Sequence, residues 1–132
     1  MRLPYADVLR WSKHWNFESK EALKTATFLY KDNRFSHSLF FCHLAVEKKI
    51  KSVFVIHKQV FPPPVHDLLY LAKKLQAPLK REILEDLAEI NSFNISARYD
   101  DYKQQFYKKA TRDYCAKWLA KSKKILIIFE NI

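Results

Sequence analysis

There is no glycine anywhere in the 132 residues of this chain. Tight hairpin turns, phosphate-cradling loops and left-handed helix caps normally lean on glycine, which alone enters positive φ without a steric penalty. A β-rich fold, a P-loop and a dinucleotide-binding fingerprint are therefore disfavoured, and helices remain as the way to bury a core.

The apolar pattern agrees. Val8, Trp15, Ala22 and Leu29 recur at seven-residue steps, with Leu9, Trp11, Leu23 and Ala26 widening the stripe, which predicts a helix over 4–32. Asp32-Asn33 supplies the stop. A second helix is predicted over 35–58, where Leu39, Val46 and Val53 form one row and His43, Ile50 and His57 the next. Pro62-Pro63-Pro64 then forces an extended turn. HDLLYLAKKL (66–75) reads as a short amphipathic helix. Pro78 can open another, with Ile83, Leu84, Leu87, Ala88 and Ile90 on its buried face. A last helix is predicted over 102–129, along which Phe106, Ala110, Tyr114 and Trp118 step by four. The expected fold class is all-α: an antiparallel up-and-down bundle of four to five helices, forming one domain over 1–132.

With 48% apolar residues the chain can build a core. Cys42 and Cys115 lie in apolar periodic segments without metal-ligand spacing and read as reduced core thiols. The longest apolar run, ILIIF (125–129), is far short of a membrane span, and no basic-then-apolar leader opens the sequence. A cytoplasmic protein without a membrane partner is the expectation. A net charge of +10 favours an acidic partner such as nucleic acid without selecting one.

Three clusters carry chemistry. His43 and Glu47 share a helix face at a spacing of four, suited to a carboxylate orienting a buried imidazole; two ligands without a second cluster do not make a metal site. Asp67 suits the start of its helix, and His66 beside it can cap, pack or reach across the bundle. In NISARYDDYKQQF (94–106), Asp101 with Gln104 fits a capping box, which leaves Arg98, Tyr99 and Tyr102 unexplained. A guanidinium ahead of a helix can grip a phosphate or carboxylate through paired N–H donors. The many lysines of the last helix read as a solvated face, its aromatic residues as core.

In order, the FFCHLAVEKKIKSVFV helix, the PPPVHDLLYLAKKL turn and helix, and NISARYDD before a long last helix resemble the HEPN domain family. These are small helical domains named for higher eukaryotes, prokaryotes and nucleotide binding. The resemblance spans residues 5–125 and rests on His43, Ala45, Glu47, Lys48 and Lys51, then His66, Asp67 and Leu68, then Ala97, Arg98, Tyr99 and Asp100. It implies a helical bundle that dimerises, in many members encoded beside a minimal nucleotidyltransferase as a two-component, often toxin–antitoxin, pair. Catalytic members are metal-independent ribonucleases with an Arg and a His four to six residues apart.

This sequence departs from that signature, because Lys103, Gln104 and Gln105 occupy the candidate histidine positions after Arg98. Neither lysine nor glutamine replaces imidazole in proton transfer near neutral pH. The resemblance then implies a non-catalytic module: a homodimer partnering a minimal nucleotidyltransferase and binding nucleotide or RNA, with no cofactor or metal. Its binding cleft would comprise Arg98, Tyr99, Asp100, His43, Glu47 and His66, and Tyr99 and Tyr102 would be the candidate acceptors of a transferred nucleotide. The alternatives are a divergent ribonuclease toxin, and a purely structural role in which Arg98 and Asp100 pin the last helix.

Overall fold

The computed structural model describes residues 1–94 and 100–132. Six helices, α1 (Tyr5–Lys31), α2 (Phe35–Lys58), α3 (Leu68–Leu75), α4 (Arg81–Asn91), α5 (Asp100–Lys109) and α6 (Arg112–Glu130), and no strand appear among the described residues. None of these helices is long and apolar enough to cross a membrane.

The two long helices fall where their periodicity places them, and α1 lies antiparallel to α2. Side-chain bonds pair them in descending order: Ser12 Oγ with Ser52 Oγ at 3.1 Å, Lys49 Nζ donating to Asn16 Oδ1 at 2.9 Å, Ser19 Oγ to Ala45 O and Ser38 Oγ to Ala26 O, each at 2.7 Å. Helix α6 runs alongside α2 in the same direction, with Cys115 against Phe35 O near one end and Lys49 paired with Glu130 near the other. α2 is the central element. Its buried residues extend beyond one stripe to include His43, Glu47, Lys49, Lys51 and Ser52, while His57, placed on an inner row by its spacing, is exposed.

Three predicted details differ. The expected last helix is two, broken at Ala110–Thr111, where the Thr111 hydroxyl caps α6 by accepting from Tyr114 N–H. The four-residue rhythm runs through the break because Phe106, Ala110 and Trp118 remain buried on both sides of it. Helix α5 begins at Asp100, so Asp101 sits in its first turn, not at a capping box, and takes Tyr102 N–H at 2.8 Å. On α4, Leu87 and Ile90 are buried but Leu84 and Ala88 are exposed. At 100° per residue, Ile83, Leu87 and Ile90 share one narrow face that Leu84 and Ala88 leave.

Without glycine, left-handed turns fall to other residues: Asn33 (φ 61°), Gln59 (φ 58°) and Gln76 (φ 60°) follow the ends of α1, α2 and α3. A side-chain-bearing residue there costs about 1–2 kcal/mol relative to a right-handed one. Gln59→Gly is expected to raise the stability by about 0.5–1 kcal/mol, part of the relief being offset by a freer unfolded chain. Urea denaturation with an unchanged slope checks it.

Candidate functional site

The site begins with spacing on α2. His43, Glu47 and Lys51 are each four residues apart and share a face, and Lys51 Nζ donates to Glu47 Oε2 at 2.9 Å. The connection after α2 brings a fourth group. Phe61 packs edge-on against Trp11 and Trp15 of α1, the chain bends at Pro64, where Val65 N–H donates to Pro63 O at 2.8 Å, and it returns across α2 at His66. There the His66 carbonyl accepts from His43 Nε2 at 3.0 Å, and His66 Nδ1 donates to the Glu47 carboxylate at 3.0 and 3.1 Å.

The side chains of His43 and Glu47 are 1% exposed, that of His66 66%. Since His43 Nε2 faces a carbonyl, it carries the proton of the neutral ring, and Nδ1 is a bare acceptor. It lies 3.8 Å from Glu47 Oε1, too far for a hydrogen bond, and is a buried atom without a partner among the described residues. Burial pushes the His43 pKa below its usual value, against the opposing pull of Glu47 and the His66 carbonyl. For Glu47, burial alone would raise the pKa; the hydrogen bonds from Lys51 and His66 outweigh it and hold the carboxyl below its ordinary range. The arrangement is an ionised buried carboxylate between a lysine and a histidine whose other ring nitrogen, Nε2, is left to the open side.

Asp67 is the cap of α3, accepting from Leu69 N at 3.0 Å and Tyr70 N at 3.3 Å. It also accepts from Asn91 Nδ2 at 2.8 Å, while Asn91 Oδ1 accepts from Leu68 N at 2.8 Å. These bonds strap the end of α4 to the start of α3, next to His66. From Asn91 the chain passes through Ser92, whose carbonyl accepts from Tyr102 Oη at 3.3 Å.

The structure therefore gathers His43, Glu47 and His66, and connects Tyr102 to them only through Ser92, Asn91 and Asp67. Asp100 is exposed as the first residue of α5. Arg98 and Tyr99 lie outside the described residues. Among the described residues no group of three or more His, Cys, Asp or Glu side chains is placed to hold a metal ion.

Sequence reasoning missed Lys51 as a member of the site, although its spacing from Glu47 announces it. Asn91 had no local signal. The acids that meet the lysines of the last two helices were missed too. Glu89 of α4 accepts from Lys109 at 2.7 Å and from the Tyr114 hydroxyl, and Asp86 takes Lys121 at 3.1 Å. Burial first, then Glu89, pushes the Tyr114 pKa upward. Trp118 is buried beneath Lys117 and Lys121, which stand over its ring, so part of the expected solvated face is paired.

Comparison with known proteins places the fold. No curated protein matches the chain. Among solved structures, the crystal structure of TT1696 from Thermus thermophilus is similar, at 20% identity and a TM-score of 0.78, over 91% of this chain and 96% of that one. At that identity the likeness shows the fold. The family model for the HEPN domain matches residues 12–132, nearly the whole sequence, and the chain belongs to the HEPN domain family.

Proposed function

We propose that this HEPN protein is a non-catalytic cytoplasmic binding module, a single domain that forms a homodimer and partners a minimal nucleotidyltransferase. Its cleft, in this reading, takes nucleotide or RNA. Arg98 would meet phosphate, and Asp100 with His66 would line the rim above the His43–Glu47 floor. Tyr99 would offer a stacking face, with Tyr99 or Tyr102 as nucleotide acceptor. The observation that carries the reading is the state of the Glu47 cluster. Its carboxylate is ionised and fully engaged, and the one proton of neutral His43 is committed to a backbone carbonyl. Groups so occupied brace a surface better than they shuttle protons.

One feature favours the alternative, a metal-independent ribonuclease toxin. A buried carboxylate on Nδ1 of an exposed histidine, with Nε2 outward, is how a general base is oriented. An RNA assay in chelator separates the two readings, using wild type, Arg98→Ala and His66→Ala. The binding module predicts intact RNA in all three and weaker RNA retention for Arg98→Ala. Cleavage by wild type that both substitutions abolish would establish the enzyme instead. Co-purification from the native host tests the nucleotidyltransferase partner.

A further inference from the structure

The opposite face of α2 carries a different set of groups. By the 100° helical step, Lys49, Ser52, Val53 and Ile56 point some 200° away from the mean direction of His43, Glu47 and Lys51, about half a turn. There α1, α2 and the end of α6 enclose a cleft of about 240 Å³, lined among others by Lys13, Asn16, Lys49, His57 and Glu130. This is smaller than the usual pocket for a drug-sized ligand, roughly 300–1,000 Å³. It suits a small ionic head group.

The floor of the cleft is built and satisfied. Ser52 Oγ donates to Ser12 O at 2.9 Å, and the two serine hydroxyls bond each other at 3.1 Å, so neither is offered to a ligand. Three other donor-bearing side chains line it: exposed Lys13 and His57, and Asn16, whose Oδ1 accepts from Lys49 and whose amide NH2 remains to donate. In the wall stands Lys49, its side chain 8% exposed, held by Asn16 Oδ1 at 2.9 Å and by Glu130.

That counter-ion is unusual. The Glu130 side chain is 63% exposed and ends α6, so a buried ammonium is neutralised by a carboxylate standing largely in solvent. A buried charge needs a partner, but an exposed partner can be exchanged for another anion at small cost. In effect Glu130 already seats an oxyanion on Lys49.

We infer that this cleft is an oxyanion site for a phosphate group, seated on Lys49 in place of the Glu130 carboxylate and gripped by Lys13, Asn16 and His57. Free phosphate and the phosphate end of a mononucleotide share that chemistry. The site is separate from the cleft assigned to nucleotide or RNA above, and its fate is independent of that reading.

Calorimetric titration with inorganic phosphate, AMP and adenosine tests it, with amide NMR shifts at Asn16 and Lys49 locating the ligand. Saturable binding of phosphate or AMP, but not adenosine, is expected. Phosphate binding assigns the free ion, and AMP binding without phosphate assigns the ester. Glu130→Gln removes the competing carboxylate and is expected to tighten binding about three- to tenfold. The Lys13→Ala/His57→Ala double variant, both sites being exposed and thus safe for folding, is expected to weaken it about tenfold. Arg81→Ala, on the remote α4, leaves binding unchanged. No saturation by either phosphate compound up to about 10 mM, shifts located elsewhere, or weaker binding by Glu130→Gln overturns the assignment.

Discussion

Phe93→Ala is expected to remove about 3–5 kcal/mol, the usual cost of emptying a buried phenylalanine site. Phe93 is fully buried, with its ring centroid 5.9 Å from Phe106 of α5, 6.0 Å from Tyr114 and 5.8 Å from Trp118, both of α6. It sits just after α4, where its backbone N–H closes a turn on Ile90 O at 2.9 Å. One side chain thus fastens the end of α4 to both final helices. Whole-domain stabilities run about 5–15 kcal/mol, so the variant would fall close to the threshold of folding. Phe93→Leu keeps most of the volume and should lose under about 1.5 kcal/mol if the site repacks. Urea midpoints of the two variants decide; an alanine loss under about 1 kcal/mol would mean that α5 and α6 are not anchored through this ring.

The second large effect belongs to Glu47. Glu47→Leu leaves the Lys51 ammonium, 9% exposed, and the inward edge of His66 without their anion. Breaking a buried pair from one side costs about 3–5 kcal/mol, whereas removing both charges is often neutral. Glu47→Leu/Lys51→Met should therefore recover most of the loss. If the double variant is no better than the single, Lys51 is not the group left stranded.

The same cluster sets the response to acid. The folded pKa of His43 lies below its ordinary 6.5, so the unfolded chain binds the proton first, and stability falls as pH drops below about 6.5. Glu47, depressed below its ordinary 4.5, contributes stability that is present above that value and is lost as pH falls through its folded pKa. Two successive losses are expected on acidification. His43→Gln should abolish the upper one and keep the lower.

What was legible followed from local rules. Helices α1 and α2 show in their seven-residue rows, and the Asp32-Asn33 stop shows in residue chemistry, since asparagine tolerates the left-handed turn that Asn33 makes. The α5–α6 break did not show, because a hydroxyl cap at Thr111 interrupts backbone bonding while the side-chain rhythm continues across it. At the site, His43 and Glu47 share a face by spacing alone. The docking of His66 on Glu47 spans 19 residues and depends on the path of the proline turn. No periodicity encodes that path. Arg98 and Tyr99 rest on the family resemblance, not on geometry.

The two cysteines give the molecule a chemical clock. Cys42 is enclosed with Ala26 and Leu119, and burial pushes its thiol up to about 12; Cys115 lies in the main core with its thiol also raised by burial. The reactive thiolate is thus nearly absent in the closed fold, so alkylation must wait until a helix parts from its neighbours. Cys42 records the parting of α1, α2 and α6 around Ala26 and Leu119. Cys115 records the loosening of α6 where it meets the start of α2. The rates at which the two sulfurs become modified measure how often each seam breathes, with no probe added to the protein.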